Sequence, residues 1–146
     1  MHLEIQKRET EGITILDLKG RLILGPEDLS LRERALALLD RGTRRLIVDL
    51  KDVSHIDTAG FGSLLFCSEK FRSSGGRLVI ANLGPEQVSA SNILQLEITL
   101  EIYSTELDAV NSFFPDRVVP HYDILQLVEE LKNRRAADQT GKNRKR

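Results

Sequence analysis

The chain has 146 residues, 40% of them hydrophobic and 29% charged, with a net charge of −1. That is enough for one domain with a core of its own and too apolar for a disordered chain. The single cysteine, Cys67, rules out an intrachain disulfide or a cysteine-based zinc cluster, and no apolar run reaches the ~18 residues needed to cross a bilayer. The start, MHLEIQKRE, lacks the apolar stretch of a signal peptide, so the expected location is the cytoplasm.

In chain order, Leu3 and Ile5 alternate with Glu4 and Gln6, which predicts a half-buried edge strand over 3–7. Glu11-Gly12 predicts a hairpin turn into a second strand, 13–19. Gly20 and Gly25-Pro26 break that pattern, and Pro26 suits the first position of a helix. This helix is predicted to run to Arg41, with Leu31, Ala35, Leu38 and Leu39 on one face and Gly42 as its terminator.

Leu46, Ile47, Val48 and Leu50 then read as a strand buried on both faces, followed by a polar loop from Lys51 to His55. Asp57 is a strong N-cap type, which makes Thr58 the first residue of a helix carrying Phe61, Leu64, Leu65 and Phe71 on one side. Gly60 and Gly62 in its first turns each cost about 1 kcal/mol relative to Ala, so a surface is expected to approach the backbone there. Cys67 reads as a small core residue.

Gly75-Gly76 ends that helix. Arg77–Ala81 is a short buried strand, a short helix is expected from Gly84-Pro85 to about Leu94, and Ile98, Leu100 and Ile102 alternate as a last strand. Thr105 and Asp108 resemble a capping box, opening a helix expected to bury Leu107, Val110 and Phe114. Strands separated by helices imply an α/β domain with a mixed, mostly parallel sheet and packed helices. Beyond Pro120, Ile124, Leu127, Val128 and Leu131 form an amphipathic stripe, either folded back on the domain or pairing copies as a homodimer through 122–134. Residues 132–146 hold seven Lys or Arg against one Asp, which leaves −7 on the rest, so an acidic body precedes a basic, disordered tail. The resulting division is 1–116 for the domain, 117–136 for the helical extension and 137–146 for the tail.

Catalytic motifs are absent from the sequence: it has no phosphate-binding loop, no zinc-protease helix and no nucleophile elbow, and His2, His55 and His121 are scattered. Asp49, Asp52 and Asp57 lie near one strand end and could hold Mg²⁺ in a small enzyme. Taken by itself, Thr58 beside Asp57 reads as helix capping.

The segment VDLKDVSHIDTAGFGSLL resembles the signature of STAS domains, the fold of bacterial anti-sigma-factor antagonists: an apolar strand, a short loop, Asp-Ser/Thr-x-Gly-x-Gly, then an apolar helix. The similarity extends over roughly residues 3–114. It implies a single STAS-like domain and a non-enzymatic switch, with no cofactor. It places the phosphorylation site on Thr58 and the partner-binding surface on Asp57, Thr58, Ala59, Gly60, Phe61 and Gly62. The implied partners are an anti-sigma factor that is a serine/threonine protein kinase, whose binding frees a sigma factor for transcription, and a protein phosphatase. Direct binding of nucleic acid is not expected. The same motif serves STAS subunits of phospholipid-transport complexes, which is the alternative function. Two positions differ from the family pattern: Ala59 stands where many relatives have a second hydroxyl, and Gly20-Arg21-Leu22-Ile23 stands where relatives often have Gly-x-Leu-Asp.

Overall fold

The structure is a computed structural model that describes residues 3–84, 87 and 100–120. Five strands form one sheet in the order β1-β2-β3-β4-β5. These are β1 (Glu4–Thr10), β2 (Ile13–Leu22), β3 (Arg45–Ile56), β4 (Arg77–Ala81) and β5 (Glu101–Tyr103). The β1–β2 hairpin is antiparallel and turns at Glu11-Gly12, while the other pairings are parallel. This is the α/β sheet expected from strands alternating with helices.

Helices α1 (Pro26–Asp40) and α2 (Thr58–Ser73) cover one face of the sheet, and the six-residue α3 (Glu106–Asn111) packs on the other. The strand pleat sorts the core accordingly. Leu16, Leu18, Leu46, Val48, Leu78 and Ile80 join the cluster under α1 and α2. Ile13, Ile15, Ile47 and Val79 face Ala109 and Val110 of α3. Cys67 is part of the larger cluster, as its apolar setting predicts, and burial pushes its thiol pKa up to about 12.

Three local expectations are corrected. Lys51–His55 is not a loop: β3 continues to Ile56, paired among the described residues only with β2 once β4 has ended opposite Asp49. Two register shifts each place an extra residue in β3, opposite Asp17–Lys19 and Gly20–Arg21. Bulges of this kind advance the side-chain phase. Leu50, Val53 and Ile56, three apart rather than two, therefore all turn to the main core. β2 correspondingly runs through Gly20 to Leu22 instead of ending at Lys19. The open edge of β3 is capped by Gln87, whose Nε2 donates to the carbonyls of Leu50 at 2.7 Å and Val53 at 2.5 Å. Finally, Leu107 is 68% exposed, because a six-residue helix has only one inward stripe and Ala109 and Val110 fill it.

No helix among the described residues is long and apolar enough to cross a membrane. The expected helix after Pro85, the amphipathic stripe at 122–134 and the basic tail lie outside the described residues.

Candidate functional site

The junction between β3 and α2 is fixed by Asp57. Its backbone is extended (φ −94°, ψ −178°), as an N-cap requires, and its Oδ1 accepts from the N–H of Gly60 at 2.8 Å. Its Oδ2 accepts from the N–H of Leu24 at 3.0 Å, and its own N–H donates to the Leu22 carbonyl at 3.3 Å. One side chain thus caps α2 and fastens the β2–α1 loop to it. Thr58 follows as the first helical residue and is exposed.

The two glycines have different causes. A Cβ on Gly60 would lie 2.2 Å from the Leu22 carbonyl oxygen and 2.9 Å from Ile56, so the surface that approaches it is the protein's own β2. A Cβ on Gly62 would meet nothing within 4 Å. Phe61 is buried in the main core. Of the six residues expected to form a partner surface, Thr58, Ala59 and Gly62 are reachable from solvent, Asp57 is half-buried and bonded internally, and Gly60 and Phe61 are interior. Asp57 and Gly60 therefore shape the surface from beneath.

Sequence reasoning missed the apolar groups in the adjoining loop and helix. Leu24, held through its N–H by Asp57, is 73% exposed, and Leu29, one turn into α1, is 55% exposed. The available signal was that Leu24 directly precedes Gly25-Pro26, so it must leave the strand before the helix begins. α1 and α2 are locked together behind this surface. Ser63 Oγ accepts from Arg32 Nε at 2.8 Å and donates to the buried Asp28 at 3.2 Å, while Asp28 also accepts from Gly25 N–H at 2.9 Å. The Arg32 guanidinium lies 4.7 Å from the centre of the Phe66 ring, within cation–π range.

The trio Asp49, Asp52 and Asp57 is not brought together as one ligand set. Asp57 is engaged as described, Asp52 is exposed, and Asp49 turns to the opposite face of the sheet toward Asp17 of β2 and Glu106 of α3. Arg8 bridges Asp17 and Glu106 there, with Nε 2.5 Å from Asp17 Oδ2 and Nη1 3.1 Å from Glu106. The Arg8 guanidinium holds the Glu106 carboxyl below the usual range, whereas burial pushes Asp49 above it.

A family model described as "STAS domain" matches residues 4–109. The chain belongs to the STAS domain family. Among sequence relatives of this STAS protein is an "Anti-sigma F factor antagonist" of Paenibacillus polymyxa, 23% identical over 75% of this chain and 94% of the relative. Among solved structures, an anti-sigma factor antagonist from Mycobacterium paratuberculosis superposes with a TM-score of 0.64 at 19% identity, covering 75% of this chain and 92% of its own. The antagonist SpoIIAA in its unphosphorylated form gives 0.60 at 16% identity, covering 77% and 98%. At these identities the structural likeness shows the shared fold.

Proposed function

We propose that this STAS protein is an anti-sigma-factor antagonist, a binding module switched by phosphate on Thr58. The carrying observation is the exposure of Thr58 at the start of α2, beside accessible Gly62 and the exposed Leu24 that Asp57 fastens to this junction. The relatives named above are anti-sigma factor antagonists, and SpoIIAA exists in both unphosphorylated and phosphorylated forms. In this reading the unmodified surface binds a kinase-type anti-sigma factor and so frees a sigma factor. Transfer of phosphate to Thr58 ends the complex, and a phosphatase restores it.

The local physics supports such a switch. Phosphothreonine carries about −1.5 to −2 charges at pH 7. At the first turn of α2, with Asp57 already engaging Gly60, the remaining helix-start N–H groups and the positive end of the dipole favour an anion. The fold therefore tolerates the modification. A partner that approaches Gly62 closely and meets the new charge beside Asp57 does not.

The test is incubation with a kinase-type anti-sigma factor from the same genome and ATP. Intact mass should show one added phosphate on the native chain and none on Thr58→Ala, and calorimetry should show a complex with the unmodified form only. Equal affinity of both forms would refute the switch and leave Thr58 as a first-turn helix residue. Absence of any complex would refute the antagonist role.

A further inference from the structure

The neighbouring strands β2 and β3 each carry one carboxylate within a largely apolar stretch, Asp17 in ITILDL and Asp49 in LIVDL, and their register sets the two side by side. Glu106, the first residue of α3, completes the group: one oxygen from each of the three lies within 4.8 Å of the others. Asp49 is only 2% exposed. Its Oδ1 is satisfied by the Lys51 N–H at 2.9 Å and the Asn82 Nδ2 at 3.1 Å. Its Oδ2 is buried, accepts no hydrogen bond among the described residues, and forms a 3.8 Å ion pair with Arg8 Nη2. A buried carboxylate oxygen is costly unless a cation or proton meets it, and Arg8 does so only across 3.8 Å, beyond hydrogen-bond distance.

We propose that Asp17, Asp49 and Glu106 bind a hard divalent cation, Mg²⁺, Mn²⁺ or Ca²⁺, in competition with the guanidinium of Arg8. An all-oxygen, all-carboxylate donor set selects cations of this class. Three carboxylates face one guanidinium, so the cluster retains negative charge with Arg8 in place. The Arg8 side chain is 41% exposed on the edge strand β1, which lets it swing into solvent when a metal takes its partners. Bound metal would then tie β2, β3 and α3 through one centre. The site lies on the opposite face of the sheet from α1 and α2, and the inference is independent of the Thr58 reading.

The experiment titrates chelator-stripped full-length protein with MnCl₂, CaCl₂ and MgCl₂ by calorimetry, with Mn²⁺ paramagnetic resonance as a second readout. Arg8→Gln removes the competing charge and should tighten binding at least about tenfold, since a unit charge about 4 Å away is worth that much even in a well-screened site. Asp49→Asn should weaken binding at least about tenfold. It retains an oxygen for Lys51 and Asn82, so it should fold. Asp52→Asn, an exposed change on the same strand, should leave binding unchanged. Circular dichroism verifies each fold, and the equally uncharged Arg8→Met substitutes if Arg8→Gln melts. No saturable binding by a folded Arg8 variant at millimolar metal overturns the proposal. So does binding by Asp49→Asn equal to the native chain, and so does a melting temperature that responds to pH through Asp49 but to none of the metals, the mark of a proton shared with Glu106.

Discussion

The Asp57 carboxylate reaches the backbone N–H of Leu24, 33 positions earlier in the chain, at 3.0 Å while its other oxygen caps α2 at Gly60. The exposed apolar residue and the exposed hydroxyl are thereby presented from one clasp.

Breaking that clasp should have two consequences. Asp57→Ala removes a helix cap and a charge-assisted bond to the loop, and should cost about 2 kcal/mol in urea unfolding. It should also weaken the partner complex through loss of Leu24 placement, even though Asp57 itself is half-buried and bonded internally. Calorimetry at a temperature where the variant is fully folded separates the two.

The glycines predict opposite outcomes for one substitution. Gly60→Ala drives a methyl group into the Leu22 carbonyl and should destabilise by about 3 kcal/mol or more. Gly62→Ala meets open space within a helix and should stabilise by about 0.5–1 kcal/mol. If the partner approaches that backbone, Gly62→Ala should bind less tightly despite melting higher.

Thr58→Asp should melt close to the native chain and bind the partner at least about tenfold more weakly; if the partner presents an acidic group within ~5 Å, the added charge costs about 3 kcal/mol at an effective dielectric near 20. Thr58→Ala should bind and resist phosphorylation. Leu24→Asp should match the loss of affinity with little change in melting temperature, as expected of a side chain 73% exposed. Unchanged affinity for Leu24→Asp would remove that residue from the docking surface.

Cys67 sets a pH dependence at the alkaline end. Its thiol titrates near 9.0 when unperturbed and is pushed up to about 12 by burial in the fold. The folded chain keeps its proton between those values while the unfolded chain loses it. The contribution is whole below pH 9 and declines as pH rises, by up to about 1.4 kcal/mol per unit until the folded value is reached. Cys67→Ala should lower overall stability but flatten this alkaline slope. In the native chain the thiol should react with a disulfide reagent only as fast as the protein opens.

The sequence was most readable where local chemistry and tertiary packing agree. Asp57 as a cap, Thr58 as the first helical residue, Pro26 at the start of α1 and the bounds of β4 all follow from near-neighbour physics. The extension of β3 was hidden because its bulges convert an alternation into the spacing 50, 53, 56, which resembles neither a regular strand nor a helix. Gly60 implies a close neighbour from the sequence alone, yet whether that neighbour is internal or external depends on β2 running as far as Leu22. The grouping of Asp17, Asp49 and Glu106 depends on strand register and on the return of α3 across the sheet. Its visible trace was the matching placement of a single acid in two apolar strands.

The passage of β3 beyond the end of β4 has a mechanical meaning. Among the described residues, β3 from Leu50 onward is paired to β2 alone, making a two-strand arm with Thr58 just past its tip and Gln87 as a strut along its edge. The stiffness of the arm rests on the packing of Leu50, Val53 and Ile56 into the main core together with the two hydrogen bonds of Gln87.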